Sequence, residues 1–180
     1  MTKNDSYILK LKHSFPQLVY GNISACLNNN QGVGATILIC CAIDTLSYYA
    51  SANPLKEGNK KRFINFVKNY FPSITDPELF YKFVRSGLIH SFNMENYFMI
   101  LCSNEKWTHS LHFQKAERRE RTIINPFVLM KQLKIAHSSF IKVLYSDELI
   151  LENFIKAYKF RPLVKQNKSV KKFKTTYKNK

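Results

Sequence analysis

The sequence predicts a mainly α-helical protein, an antiparallel up-and-down bundle with a small β-hairpin inserted after the fourth helix. Apolar residues recur at helical spacing through most of the chain. Start and stop signals bracket those runs at distances suited to helices. Alternating, strand-like texture is confined to a short stretch between residues 97 and 124. With 180 residues, 45% of them apolar and 14% aromatic, the chain can bury a core of its own.

A first helix falls within Ile8–Asn30, where Pro16 and Gly21 are expected to interrupt it. Gly34–Tyr49 is apolar nearly all round, which suits a helix in the middle of a bundle. Ala50–Asn59 carries Pro54 and Gly58 and reads as a loop. Lys60–Phe71 has the cleanest period: Phe63, Phe66, Val67, Tyr70 and Phe71 share one face, and Pro72 stops the helix. The fourth helix starts at Asp76-Pro77-Glu78 and runs to His90, with Leu79, Phe80, Phe83, Val84 and Gly87 as its inner face. Tyr97–Leu101, Leu111-His112-Phe113 and Thr122-Ile123-Ile124 read as strands. Asn125-Pro126 then opens a helix over Phe127–Tyr145, and Ser146-Asp147-Glu148 caps a last one that ends before Pro162.

The net charge of +16 is unevenly placed. Residues 161–180 carry eight Lys/Arg and no acid, so the chain divides into a helical domain, 1–160, and a basic tail, 161–180. Such a balance points to phosphate polymers or anionic surfaces as partners and names no reaction. Cys26, Cys40, Cys41 and Cys102 form no CxxC pair or disulfide framework. The N-terminus lacks a signal-peptide core, and the greasy run near Val33–Ile43 is short for a bilayer and meets Asp44. A cytoplasmic location without membrane association is the expectation. No cofactor signature is present. Cys102, His109 and His112 match no common zinc spacing, so no metal is expected.

The chemistry-bearing feature is Arg85-Ser86-Gly87-Leu88-Ile89-His90 at the end of the fourth helix. Arginine is a permanent cation matched to phosphate, and histidine is the side chain best suited to proton transfer near neutrality. A helical bundle whose fourth helix ends in Arg, four residues and His resembles the HEPN superfamily. Its active members carry an R-x(4–6)-H motif and are mostly metal-independent ribonucleases of toxin–antitoxin, abortive-infection and CRISPR systems. The stretch Leu79–His90 is similar to the motif-bearing helix, and Cys41–Leu46 to the packed helix before it. The resemblance spans roughly residues 8–160. It implies Arg85 and His90 as the catalytic pair, RNA as substrate, a homodimer, and a cognate antitoxin or regulatory protein. The family often has Asn, Asp or His directly after the arginine, where this chain has Ser86, which cannot serve as a second base. Inactive members act as nucleotide-, RNA- or partner-binding modules, and that is the alternative function. A third reading is a basic nucleic-acid-binding bundle in which the motif is accidental.

Geometry bears on this. On an ideal helix, residues five apart differ in direction by about 140°. A straight helix would therefore separate Arg85 from His90, and a bent helix end or a two-fold dimer is expected to reunite them. Asp44 sits among apolar neighbours, where a lone carboxylate needs a partner. Arg85 is one candidate, and a backbone amide, Tyr48 or Tyr49 are others. Arg118, Arg119 and Arg121 could hold an RNA backbone. In the tail, Lys171, Lys172 and Lys174 interleave with Phe173 and Tyr177, a mixture suited to phosphates and unpaired bases.

Overall fold

The computed structural model describes residues 3–116 and 119–163. The elements run α1 (Lys3–Asn28), α2 (Gly32–Ala50), α3 (Asn59–Tyr70), a composite α4 (residues 77–91), β1 (Phe98–Ile100) and α5 (Lys106–His109). They continue through β2 (Lys115–Ala116), β3 (Arg119–Ile124), α6 (Pro126–Ser146) and α7 (Glu148–Phe160). This is the expected mainly helical architecture with a small β insertion between the fourth helix and the last two.

Helix α2 is the axis of the bundle. It packs on α1, α3, α6 and α7, and buries residues on nearly every side, from Ala35 and Ile39 to Leu46 and Tyr49. Its length and apolarity would suffice to cross a membrane, but more than half of that stretch is covered by the rest of the bundle. Phe15, Phe63, Phe71, Phe80, Phe140 and Phe154 are the largest fully buried side chains around it. Phe140 and Phe154 meet edge-on at 6.3 Å, while Phe63 and Phe80 stack at 6.0 Å, arrangements that add to plain burial.

Pro16 does not break α1, which runs continuously past it. The proline penalty is about 3 kcal/mol. Against it stand Ile8, Leu11 and Phe15 before the proline and Ile23 and Leu27 after it, all buried in the one hydrophobic core. Each is worth about 1.5–3 kcal/mol. Tertiary packing wins.

The expected caps form. Asp76 accepts from the Leu79 amide, Asn125 from Phe127 and Asp147 from Ile150. Asn125 is fully buried and does more. Its side chain donates to the Ser103 and Thr108 carbonyls, and its amide donates to Nδ1 of His112 at 3.0 Å.

The insertion is more than a hairpin. Strands β2 and β3 pair antiparallel, while β1 lies parallel on the other side of β3, with Phe98, Met99 and Ile100 opposite Thr122, Ile123 and Ile124. Leu111-His112-Phe113 is a turn rather than a strand. Phe113 has a φ of 62°, which ends extended backbone, and its amide caps the sheet by donating to the Ile123 carbonyl. The Phe113 ring then contacts Phe80 and Phe98, joining sheet to bundle.

Two buried histidines set a pH limit on this fold. His112 and His137 are each 5% exposed, and burial pushes both down to about 4. A lowered folded value means the unfolded chain binds more protons between about pH 6.5 and 4. Stability is then full above pH 6.5 and falls as pH drops toward 4. Urea denaturation is expected to give a free energy about 2–4 kcal/mol lower at pH 5 than at pH 7, and His112→Asn with His137→Asn to flatten that dependence.

Candidate functional site

The site forms where α4 crosses α2. Helix α4 begins as α-helix at Pro77–Leu79, becomes π-helical over Phe80–Ser86 and returns to α-helix at Gly87–Ser91. The Gly87 amide closes the wide turn by donating to the Lys82 carbonyl, five residues back. The buried face follows the altered winding: Phe80, Phe83, Val84 and Leu88 point inward. Phe83 and Leu88 are five apart and would diverge on a regular helix. Leu79, an expected inner residue, is exposed instead.

The same five-residue step carries the motif. Arg85 Nη1 lies 3.3 Å from His90 Nε2, so the pair meets within one chain. The helix departs from the straight, regular one that would separate them: a π turn widens the repeat and the arginine side chain reaches across it, with no second subunit needed for the contact. A guanidinium only donates, so His90 Nε2 is the acceptor. His90 is exposed, and Arg85 is half-buried.

The end of α4 is built by Gly87. Phe92 takes a left-handed φ of 51°, and the Asn93 amide turns back to donate to the Gly87 carbonyl at 3.1 Å. A Cβ at position 87 would collide with the Asn93 carbonyl, so only glycine lets the chain fold back there.

Asp44 supplies the third member. Its Oδ2 accepts from Arg85 Nε at 2.9 Å and Nη2 at 2.8 Å, which resolves the sequence alternatives in favour of Arg85. The side chains are 19% and 14% exposed. Burial raises the Asp44 carboxyl above its ordinary range, against the opposing pull of Arg85 and, more weakly, of Asn59 and Arg62. For Arg85, burial acts to lower the value, and the bond to Asp44, its charge and smaller contributions from Tyr81 and Cys40 together more than reverse it. The guanidinium also lies against the Tyr81 ring, one turn earlier, at 5.4 Å. Arg85 is therefore fixed on three sides: Asp44 holds its Nε edge, Tyr81 its face, and His90 takes Nη1.

Beside this triad opens a cavity of about 550 Å³, lined among others by Asp44, Arg85, Tyr48, Asn59, Arg62 and Arg161. Three guanidiniums and one carboxylate face it. Arg62 and Arg161 lie on α3 and at the end of α7 and carry no shared motif that would mark them in the sequence.

The other sequence candidates scatter. Ser86 ends the π turn half-buried, and its hydroxyl makes no hydrogen bond among the described residues. Arg121 donates to Asn96 Oδ1 at 2.5 Å on the sheet. Only the backbone of Arg119 is described, on β3; Arg118, Lys171, Lys172 and Lys174 lie outside the described residues. Among the described residues no His, Cys, Asp or Glu side chains cluster as a metal site, and all four cysteines are free thiols.

No protein-family model, curated protein or solved structure matches the chain.

Removing one partner of a buried ion pair strands the other charge, whereas replacing both with apolar groups is often neutral. Asp44→Ala is expected to lower the unfolding free energy by about 2 kcal/mol, less than for a fully buried pair because some solvent reaches it. Urea denaturation is expected to show most of that loss recovered in Asp44→Leu with Arg85→Met.

Proposed function

We propose that the protein is a metal-independent endoribonuclease whose reacting groups are Arg85 and His90. The observation that carries this reading is the contact of Arg85 Nη1 with His90 Nε2 at 3.3 Å, on an arginine already anchored by Asp44. A fixed cation and a proton-transfer group side by side are what phosphodiester transesterification needs.

In the free protein the His90 Nε2 lone pair is occupied by Arg85 Nη1–H. A scissile phosphate entering beside Arg85 competes for that donor and frees Nε2 for the ribose 2′-hydroxyl. His90 takes the hydroxyl proton as the 2′-oxygen attacks phosphorus. Arg85 stabilises the charge gathering on the non-bridging oxygens. The bond to the 5′-oxygen breaks, and that oxygen takes a proton from a second imidazole, His90 of another copy in a two-fold dimer. The products are a 2′,3′-cyclic phosphate and a 5′-hydroxyl. Asp44 is a positioning residue, since it acts through Arg85. A cytoplasmic defence or toxin role, held in check by a cognate antitoxin or regulatory protein, follows from the resemblance to the HEPN superfamily.

Purified protein is expected to cleave RNA in EDTA, with His90→Ala and Arg85→Ala each reducing the rate by at least about 100-fold. Binding without cleavage by the wild type would favour the silent binding module.

A further inference from the structure

Three residues that line the cavity beside Asp44 each carry a buried polar atom with no hydrogen-bond partner: the Tyr48 hydroxyl, Arg62 Nε and Asp44 Oδ1. Unpaired buried polar atoms are rare and unfavourable, and here the residues around one space carry three. Tyr48 is only 7% exposed. Its ring lies under two guanidiniums, that of Arg62 at 5.5 Å and that of Arg161 at 5.8 Å.

Both cations are placed by the fold. Arg62 donates to the carbonyls of Pro54 and Glu57 and to Asn59 Oδ1, which leaves Nε free. Arg161 caps the end of α7, where its carbonyl accepts from Tyr49 of α2 at 2.9 Å. The cavity therefore offers two unused donors, a surplus of positive charge and one unused acceptor.

That set is complementary to a phosphate next to a hydroxyl. Phosphate oxygens would satisfy Arg62 Nε and the Tyr48 hydroxyl under the field of Arg161. A ribose 2′-hydroxyl would satisfy Asp44 Oδ1, the oxygen that Arg85 leaves open. We infer that this cavity binds a backbone phosphate and ribose of the RNA strand one step away from the scissile bond, with Tyr48, Arg62 and Arg161 as its binding residues. The inference rests on the ribonuclease reading for the position of the scissile bond; the chemistry of the cavity stands without it. A subsite sharing Asp44 with the reacting arginine ties strand binding to the orientation of Arg85.

The test is RNA binding by fluorescence anisotropy in the His90→Ala background, where the strand stays intact. Tyr48→Phe removes only the unpaired hydroxyl, so the thermal midpoint is expected to hold or rise while RNA affinity falls about tenfold. Arg161→Ala, at an exposed helix end, is expected to weaken binding and to lower the slope of log affinity against log salt by about one. Thermal melts with inorganic phosphate provide the second arm. RNA affinity unchanged in both variants overturns the inference, even if Arg85 and His90 prove essential for cleavage. If Tyr48→Phe abolishes stabilisation by inorganic phosphate yet leaves RNA affinity intact, the cavity takes free phosphate and the RNA assignment fails. Weakened RNA binding in both variants, with no cleavage by the wild type, keeps the subsite and removes the nuclease reading.

Discussion

The ion pair between Asp44 and Arg85 is the interaction on which the site depends. It joins α2, the most deeply embedded helix, to α4, the helix that carries the motif. Burial keeps the Asp44 carboxyl above its ordinary range even with a guanidinium at 2.8 Å. The two partners differ: burial outweighs the pull of Arg85 on Asp44, while for Arg85 the pull of its neighbours, Asp44 foremost, outweighs burial. The pair therefore adds little net stability, as is common for such pairs. Apolar residues at both positions would serve the bundle nearly as well. What the pair adds is direction: the arginine's Nε edge is committed to Asp44, its face lies on Tyr81, and Nη1 is presented to His90.

The second constraint is the winding of α4. π-Helical turns are uncommon, and they concentrate at functional sites because they sacrifice regular hydrogen bonding to re-aim side chains. Here one widened segment solves two problems. It lets Phe83 and Leu88 share the buried face, and it lets Arg85 and His90 meet. Gly87 then allows the chain to double back through Phe92 and Asn93, ending the helix just beyond the histidine. A regular helix with the same composition would have turned Leu88 away from the face that Phe83 buries and parted Arg85 from His90 as well.

Much of the helical frame was legible because its signals are local. The apolar period of α3 and the caps at Asp76, Asn125 and Asp147 each act within a few residues. Three features were not legible, each for a non-local reason. Pro16 signals a break, but burial on both sides of it overrides that local cost. Leu111-His112-Phe113 alternates like a strand, but its register against Ile123 requires a left-handed residue. The parallel pairing of β1 with β3 is a tertiary choice that no short pattern encodes. The site divides in the same way. Arg85, His90 and Asp44 were visible as chemistry, while their contact needed the π turn. The cavity residues Tyr48, Arg62 and Arg161 come from three helices and share only their convergence in space.

In the proposed reaction Arg85 and His90 direct attack by the RNA's own 2′-oxygen. Phosphorus NMR of the fragment ends reports that step directly, because the attacking oxygen decides where the phosphate remains. Ends bearing a 2′,3′-cyclic phosphate, or the 3′-phosphate to which it opens, opposite a 5′-hydroxyl are the predicted result. Ends bearing a 5′-phosphate opposite a 3′-hydroxyl would contradict it, since water and not the ribose would then have been the nucleophile.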